Sequence, residues 1–415
     1  MAKRDTARMS AGRVTAVVAI SVGAFLAFSS LANTALIVTV ARKVITPPHK
    51  RVEDLRIVAV SSDTITLTST LDSRIPGRYS LWFGRDKGHA RIGAIVSQTP
   101  ATVTRELLGI DSGELSSATR ARIGSWYYRT PASLGLEFEE VAVVTPVGLA
   151  PAWLVPAATD AGRWVIAVHG RGVRRNEALR SLQVFREAGY NSLLVSYRND
   201  GEAPPSEDGL YALGDTEWED VDGALAFALG RGAKDIVLMG WSMGGATVLQ
   251  TATRSRHADV VRGIVLESPV VDWITALRHQ GRQLGLVNPF RLGVLTVLSS
   301  TWGRAVTGQQ NPINLDRLDF VRHAAQLSVP ILVLHSADDV YVPATASREL
   351  ARLRPDIVTY NEFTVAGHTR LWNYDAERWN RAIAGWLHTL LPVDGRDPAS
   401  APSANEDNSA PGSGR

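Results

Sequence analysis

The sequence predicts an α/β fold: a mostly parallel sheet with helices on both faces and an inserted helical cap, preceded by a transmembrane helix and a small β-rich extension. Three observations carry this reading. From Trp164 onward, short apolar runs alternate with stretches of helical periodicity, the pattern of parallel strands joined by crossover helices. One connection, Val270 to Leu327, is much longer than a loop between neighbouring strands and has helical character, so it reads as a cap over 270–327. The glycine-rich turn Gly240-Trp241-Ser242-Met243-Gly244-Gly245 stands where an apolar strand runs into a helix-compatible stretch.

Composition narrows the possibilities further. The 415 residues are 45% hydrophobic and 20% charged, which excludes wholesale disorder and supplies apolar material for a large core. The net charge of +3 is spread along the chain with no concentrated basic patch, so no nucleic-acid partner is expected. With no cysteine there is no disulfide, thiolate nucleophile or Cys-ligated metal.

Taken in order, a basic N-terminus (1–13) precedes 28 residues without a charge, Val14 to Ala41, which end at Arg42 and Lys43. At about 1.5 Å per residue a helix of that length reaches roughly 42 Å, enough to cross a hydrocarbon core of ~30 Å, so 14–41 reads as a membrane anchor. A cleaved signal peptide is the alternative, although its apolar region is normally about 7–15 residues. Basic residues balance on the two sides, and the expected arrangement is a single-pass protein with its bulk on the extracytoplasmic side. Because the anchor precedes every chemical candidate by more than a hundred residues, a chain starting near Pro48 is expected to keep its activity. The β-rich extension (50–131) is read from alternation over Ile57 to Thr70, the aromatic run Tyr79 to Phe83 and short runs over Ala90 to Val103. A hairpin follows, Glu137 to Thr145 and Ala152 to Val155. Strands are expected at Trp164–Val168, Ser192–Ser196, Ile236–Met239, Gly263–Leu266, Ile331–Leu334 and Ile357–Phe363. Helices are expected at Asn176–Ala188, Thr216–Leu229, Met243–Thr253, Ala344–Leu353 and Tyr374–Leu391. The folded domain closes at 391, and 392–415, rich in Pro, Ser, Ala and Gly, reads as a solvated tail.

The turn at 240–244 fits G-x-S-x-G, a serine on a strand-to-helix turn where small flanking residues admit close backbone approach and the new helix offers free N–H groups. A serine hydroxyl is a weak nucleophile alone and needs a base and an orienting acid. His368, between the last strand and the last helix, is the base candidate, because loops at the carboxyl ends of sheet strands can reach such a serine. His49 and His89 lie in the extension, His257 in an Arg-rich loop, His279 and His323 in the cap, and His388 in the last helix, while His335 reads as locally packed. Either Asp338 or Asp339, after Ile331–Leu334, can supply the acid, with Glu267 and Asp272 in reserve. Oxyanion donors are expected at the N–H of Met243 and the N–H of Arg171, in His169-Gly170-Arg171-Gly172 after an earlier strand. The Arg171, Arg174 and Arg175 side chains are candidates to meet an anionic substrate. Glu217, Glu219, Asp220 and Asp222 read as a solvated helix face rather than a metal site, and neither metal nor cofactor is expected.

Together these motifs resemble the α/β-hydrolase superfamily over Glu137 to Leu391, in its serine-nucleophile branch of esterases, lipases, thioesterases and peptidases. The residues that carry the likeness are His169-Gly170, Ser196-Tyr197-Arg198-Asn199, the 240–245 turn, Asp339 in Asp-x-x-Val-Pro, and Gly367-His368. Relatives place the orienting acid four residues after a His and three before a Val; counting from His335 and from Val342 gives Asp339 both times. Two departures are visible: Ser336 stands where a glycine is usual, and Asn199-Asp200 replaces a glycine turn. Gly240–Gly245 and His368–Asn373 look like a group of membrane-anchored bacterial α/β-hydrolases. The resemblance implies a serine hydrolase that cleaves a carboxylic ester or thioester of a small-molecule or lipid-like acyl substrate, without a cofactor. A serine peptidase of the same fold and a non-catalytic interaction protein are the alternatives.

Overall fold

The computed structural model describes residues 33–48, 51–159 and 161–390. Its first element is a helix, α1, over 33–45. The anchor read from Val14 to Ala41 therefore begins outside the described residues, as do the basic N-terminus and the tail. Among the described residues no helix is long and apolar enough to cross a membrane. The end of the run is not a free stalk either: Ala41 and Ile45 are fully buried in the main core, and Tyr211 N–H donates to Ile45 O at 2.8 Å.

The extension forms a closed six-stranded barrel. Its elements are β1 (Leu55–Val60), β2 (Thr64–Thr68), the short helix α2 (Leu71–Arg74), β3 (Tyr79–Phe83), β4 (Gly88–Gln98), β5 (Thr102–Ser112) and β6 (Arg120–Gly124), in barrel order β1-β2-β5-β4-β3-β6. The alternating run from Ile57 to Thr70 is two strands rather than one, because Ser61 Oγ accepts from Thr64 N–H and turns the chain. Inward residues such as Leu55, Leu67, Leu81 and Ile92 fill the barrel, whose closure leaves no unpaired edge. Arg105 is buried with them, and its guanidinium donates to the carbonyls of Ser73, Ile75, Gly77 and Gly93, which makes burial of the charge tolerable.

The second unit is an eight-stranded sheet of β7 (Glu139–Thr145), β8 (Gly148–Val155), β9 (Arg163–Val168), β10 (Asn191–Val195), β11 (Asp235–Trp241), β12 (Val261–Glu267), β13 (Ile331–Ser336) and β14 (Val358–Phe363), in order β14-β13-β12-β11-β9-β10-β8-β7. From β14 to β10 the strands are parallel; β8 and β7 form the antiparallel hairpin, closed by Pro146-Val147. The parallel strands β9 to β13 are buried on both faces, which is why they read as unbroken apolar runs, while the edge strand β14 is only partly buried. Covering helices are α3 (Leu182–Glu187), α4 (Trp218–Gly230), α5 (Met243–Arg254), α6 (Trp273–Gln283), α7 (Asn288–Ser299), α8 (Gly303–Thr307), α9 (Thr345–Leu353), α10 (Leu371–Tyr374) and α11 (Ala376–Thr389). The cap is α6 to α8, and α1 meets it at Gly293, where an added Cβ would run into Ile37.

Three helical expectations need correcting. The stretch from Asn176 begins as a 3-10 helix (Arg175–Ser181) and becomes α3 only at Leu182, with Arg175, Glu177 and Arg180 all buried. The last helix starts at Ala376, where Asp375 caps it by accepting from Arg378 N–H. Most consequentially, the acidic face of α4 is not solvated. Glu217 is fully buried and accepts from the N–H groups of Ala212 and Gly214, and Asp220 is buried against Arg198, which grips both its oxygens at 2.7 and 2.9 Å. Among the described residues no cluster could hold a metal ion.

Below the strand ends, Glu267 locks β11, β12 and α11 together. Its Oε2 accepts from the indoles of Trp241 (2.7 Å) and Trp379 (2.9 Å), its Oε1 accepts from Leu371 N–H (3.2 Å), and Arg180 lies 4.0 Å away. Burial pushes this carboxyl up, while Arg180 and the Trp241 indole hold it down. Replacing one oxygen by an amide nitrogen sets a donor against a donor. Glu267→Gln is expected to lower unfolding stability by about 1–3 kcal/mol, read as a fall in urea midpoint at constant m-value.

Candidate active site

Ser242 sits between β11 and α5 with φ 51° and ψ −115°. A non-glycine residue there carries strain on the order of 1–3 kcal/mol. The strain is accommodated because the neighbouring positions have no Cβ: one at Gly240 would lie 2.5 Å from Gly244 O, and one at Gly244 would collide with Val168 O. The turn lifts the serine off the strand end and leaves it 7% exposed. Its N–H donates to Glu267 O at 3.1 Å, and Val270 N–H donates to its carbonyl at 3.0 Å, so the residue is held from both sides.

Three of the residues singled out from sequence come together here. Ser242 Oγ lies 2.9 Å from His368 Nε2, and His368 Nδ1 lies 2.7 Å from Asp339 Oδ2. Asp339 is buried, and its other oxygen accepts from the N–H groups of Tyr341 and Val342 at 2.9 Å each. His335 adds a contact to Oδ2 at 3.3 Å while bonding Ser347 and Val342 O, so it is packed locally and also touches the acid. Burial alone would raise the Asp339 carboxyl; the charge of His368 and hydrogen bonds from His335 and His368 outweigh it and hold the group well below the ordinary carboxylate range.

The other acid candidates face elsewhere. Asp338 accepts from Val365 N–H at 2.7 Å and so steadies the loop that carries His368. Asp272 caps α6 by accepting from Ile274 and Thr275 N–H. Glu267 stands under the turn, as described above.

The 169–172 loop closes against the serine: a Cβ at Gly170 would lie 3.2 Å from Ser242 Cβ. The loop is fixed through its own backbone. Gly170 N–H donates to Glu177 (2.8 Å), Tyr197 Oη donates to Gly170 O (2.9 Å), and His169, stacked on the Tyr197 ring, contacts Asp200 at 3.2 Å. Asn199 adopts φ 69°, a left-handed conformation that Asn tolerates, so it serves where relatives carry glycine. Among the described residues the N–H groups of Arg171 and Met243 are taken by no turn or loop acceptor, and Met243 opens α5, where N–H groups have no intrahelical partner.

The arginine side chains are engaged rather than free. Arg175 pairs with Glu140 and Glu202, Arg174 pairs with Glu202, and Arg171 reaches back to α1, donating to Lys43 O (2.7 Å) and Thr46 O (2.8 Å). A pocket of about 250 Å³ opens on Ser242, walled by Val40, Val44, Trp273, Leu284, Val340 and Val342. The wall contributed by α1 escapes sequence reasoning, which treats that segment as remote. A larger cleft of about 840 Å³ between barrel and sheet, lined by Arg51, Trp126 and Arg174, does not reach the serine.

Residues 165–382, more than half of the chain, match the alpha/beta hydrolase family, and the chain belongs to that family. Residues 56–124, the barrel, match a domain of unknown function, DUF8805. No curated protein sequence matches the chain. Similar solved structures include an esterase from Pyrococcus furiosus (16% identity, 63% of this chain and 94% of that one, TM-score 0.49). An esterase from Rhodococcus sp. ECU1013 has 19% identity, covers 60% of this chain and 99% of that one, and gives a TM-score of 0.43. Est1E from Butyrivibrio proteoclasticus, bound to ferulic acid, has 16% identity, covers 60% and 98%, and gives a TM-score of 0.47. Likenesses at this level carry no argument about activity.

The Arg171 guanidinium ties α1 to the loop beside the serine. Arg171→Ala removes the donors to Lys43 O and Thr46 O, and amide hydrogen exchange in 41–46 is expected to quicken at least tenfold, about 1.4 kcal/mol of local opening free energy. Unchanged protection there would show that core packing of Ala41 and Ile45 alone holds the helix.

Proposed function

We propose that the chain is a serine hydrolase that cleaves a carboxylic ester or thioester through an acyl-enzyme, with Ser242, His368 and Asp339 as its triad. The observation that carries this reading is the unbroken hydrogen-bonded line from Ser242 Oγ through the imidazole to a buried, ionised carboxylate.

In the first half-reaction Ser242 Oγ bonds to the substrate carbonyl carbon while its proton passes to His368 Nε2. The carbonyl π electrons move onto oxygen, and the N–H groups of Met243 and Arg171 face that oxyanion. Collapse restores the carbonyl and breaks the bond to the alkoxide or thiolate, which takes the proton from His368. Water then repeats the sequence on the acyl-enzyme, giving up a proton to His368, and the acid leaves as Ser242 Oγ is reprotonated. Asp339 stays ionised throughout and balances the imidazolium. The uncharged residues that precede α1, 14–32, are read as the membrane attachment, with the sheet expected on the extracytoplasmic side.

In the full chain, a fluorophosphonate is expected to label Ser242, and Ser242→Ala to abolish labelling and lower kcat on short p-nitrophenyl esters by about 10⁴-fold or more. A Ser242→Ala protein that keeps roughly a tenth of the rate would overturn the reading. Asp339→Asn is expected to cost about 10³-fold or more, whereas Asp338→Asn, which still offers an oxygen to Val365 N–H, leaves turnover near that of the unchanged chain. The reverse order of losses would move the acid to 338.

The pH profile gives an independent check. Because the Asp339 carboxyl is held below its ordinary value, it stays ionised while pH falls through the usual carboxylate range, and its pairing is lost only beneath that range. This carboxylate therefore adds no proton to acid inactivation at moderate pH, and log kcat/KM is expected to fall with a slope no steeper than about one. A slope near two would mean that the Asp339 carboxylate takes up a proton in that range.

A further inference from the structure

The pocket at Ser242 has a wall from outside the family-matched region. In α1, Ala41 and Ile45 point into the core, while Val40 and Val44, one residue before each, line the pocket. This is the i, i+4 geometry of a helix that presents one stripe to the core and the adjoining stripe to a cavity. Facing α1 are Trp273 and Leu284 of the cap and the Val340–Val342 loop, which follows the acid Asp339. The cap and that loop are themselves joined, since His279 Nε2 contacts Val340 O at 3.0 Å.

Behind this pocket lies a separate recess of about 40 Å³ between α1, α6 and α7, walled by Leu277, Leu286 and Val294 among others. Val40, Val44, Gln280 and Leu284 border both cavities, so these side chains are the partition between them. The main pocket, at about 250 Å³, has room for roughly eight methylene-sized groups if each takes about 30 Å³, a water's share of liquid volume. Its exposed lining is mixed, with Leu284 (59%) and Val340 (71%) beside Lys43 and Gln283, whereas the walls within are mostly apolar.

Building on the serine-hydrolase reading, we infer that α1 is a specificity element: the pocket holds the apolar acyl chain of a medium-length fatty ester, roughly six to ten carbons on the same volume argument, and Val40 and Val44 set where that chain must end. The acyl carbonyl sits at Ser242 and the chain runs between α1 and the cap. The leaving group stays outside this pocket. The expectation that the chain works without α1 is thereby reversed, because its removal would open one side of the acyl site as well as strip Ala41 and Ile45 from the core.

The test uses the full-length chain and p-nitrophenyl esters with acyl chains from two to sixteen carbons, with fluorophosphonate labelling of Ser242 read first. Labelling together with a maximum of kcat/KM at intermediate chain length is expected. Val44→Trp fills the pocket and is expected to lower the octanoyl-to-acetyl ratio of kcat/KM at least tenfold. Val40→Ala and Val44→Ala open the partition and are expected to move the maximum to longer chains. Since each readout is a ratio within one protein, partial loss of folded material does not imitate it. If the unchanged chain is labelled but all three variants keep its chain-length profile within twofold, α1 is no specificity element and the inference fails while the catalytic reading stands. If the unchanged chain is neither labelled nor active on any ester, both fail.

Discussion

Three buried charges under the strand ends, Glu177, Arg180 and Glu267, fix the loops beside Ser242 and His368. Burying charge is expensive unless each group is paired and hydrogen-bonded, and here the partners that satisfy them are the loops of the site. Glu177 accepts from Gly170 N–H and fixes the 169–172 loop; Arg180 donates to Thr369 O (2.7 Å) and Asn373 Oδ1 (2.8 Å) and fixes the segment after His368; Glu267 accepts from Trp241, one residue before Ser242, and from Leu371 N–H. The three charges approach one another at 3.5 and 4.0 Å. Moving any one loop would leave a charge without its partner, so the positions of Ser242, His368 and the 169–172 loop are over-determined.

The same anchoring explains how strained backbone persists in the loops that follow β11, β12 and β14. Ser242, Ser268, Val365 and Thr369 all have positive φ without being glycine. Ser268 N–H donates to Leu334 O, its hydroxyl accepts from Thr369 N–H, and Asp338 accepts from Val365 N–H. Each strained residue is thus tied to a neighbouring strand end. Strain held this way is a feature of pre-organised sites rather than of random loops.

What the sequence made legible follows from how local each signal is. The parallel strands are apolar runs bounded by turn residues, and the serine turn, Asp339 and His368 each lie in short motifs at strand ends, so a linear reading reaches them. The charges that brace the site are a different matter. Glu177, Arg180, Glu217 and Asp220 look, along the chain, like the polar face of ordinary surface helices, because burial of a charge is set by partners distant in sequence: Arg180 meets Asn373, and Arg198 meets Asp220. Barrel closure is equally non-local, since β1 pairs with β6 some sixty residues on. The segment before Pro48 misleads for the opposite reason: its composition speaks for a membrane, and nothing in it announces that its last turns pack beside the serine.

The two parts of the chain outside the family-matched region therefore attach where the chemistry is, not at its periphery. The barrel grips the segment after His368 through the Arg370–Asp72 pair (2.8 and 3.0 Å) and through Asn373, whose amide donates to Arg78 O and Ser125 O. On the other side, α1 is held by the guanidinium of Arg171, which lines the pocket at Ser242. A displacement of the barrel is felt in the segment after His368, and a displacement of α1 is felt at the 169–172 loop and in the pocket wall. On the proposed hydrolase reading, where a misplacement of about 1 Å can cost on the order of 10²-fold in rate, these additions would influence turnover without contacting the reacting atoms. They brace the backbone on either side of the Ser242–His368 pair: the barrel grips the segment after His368, and α1 the loop beside Ser242.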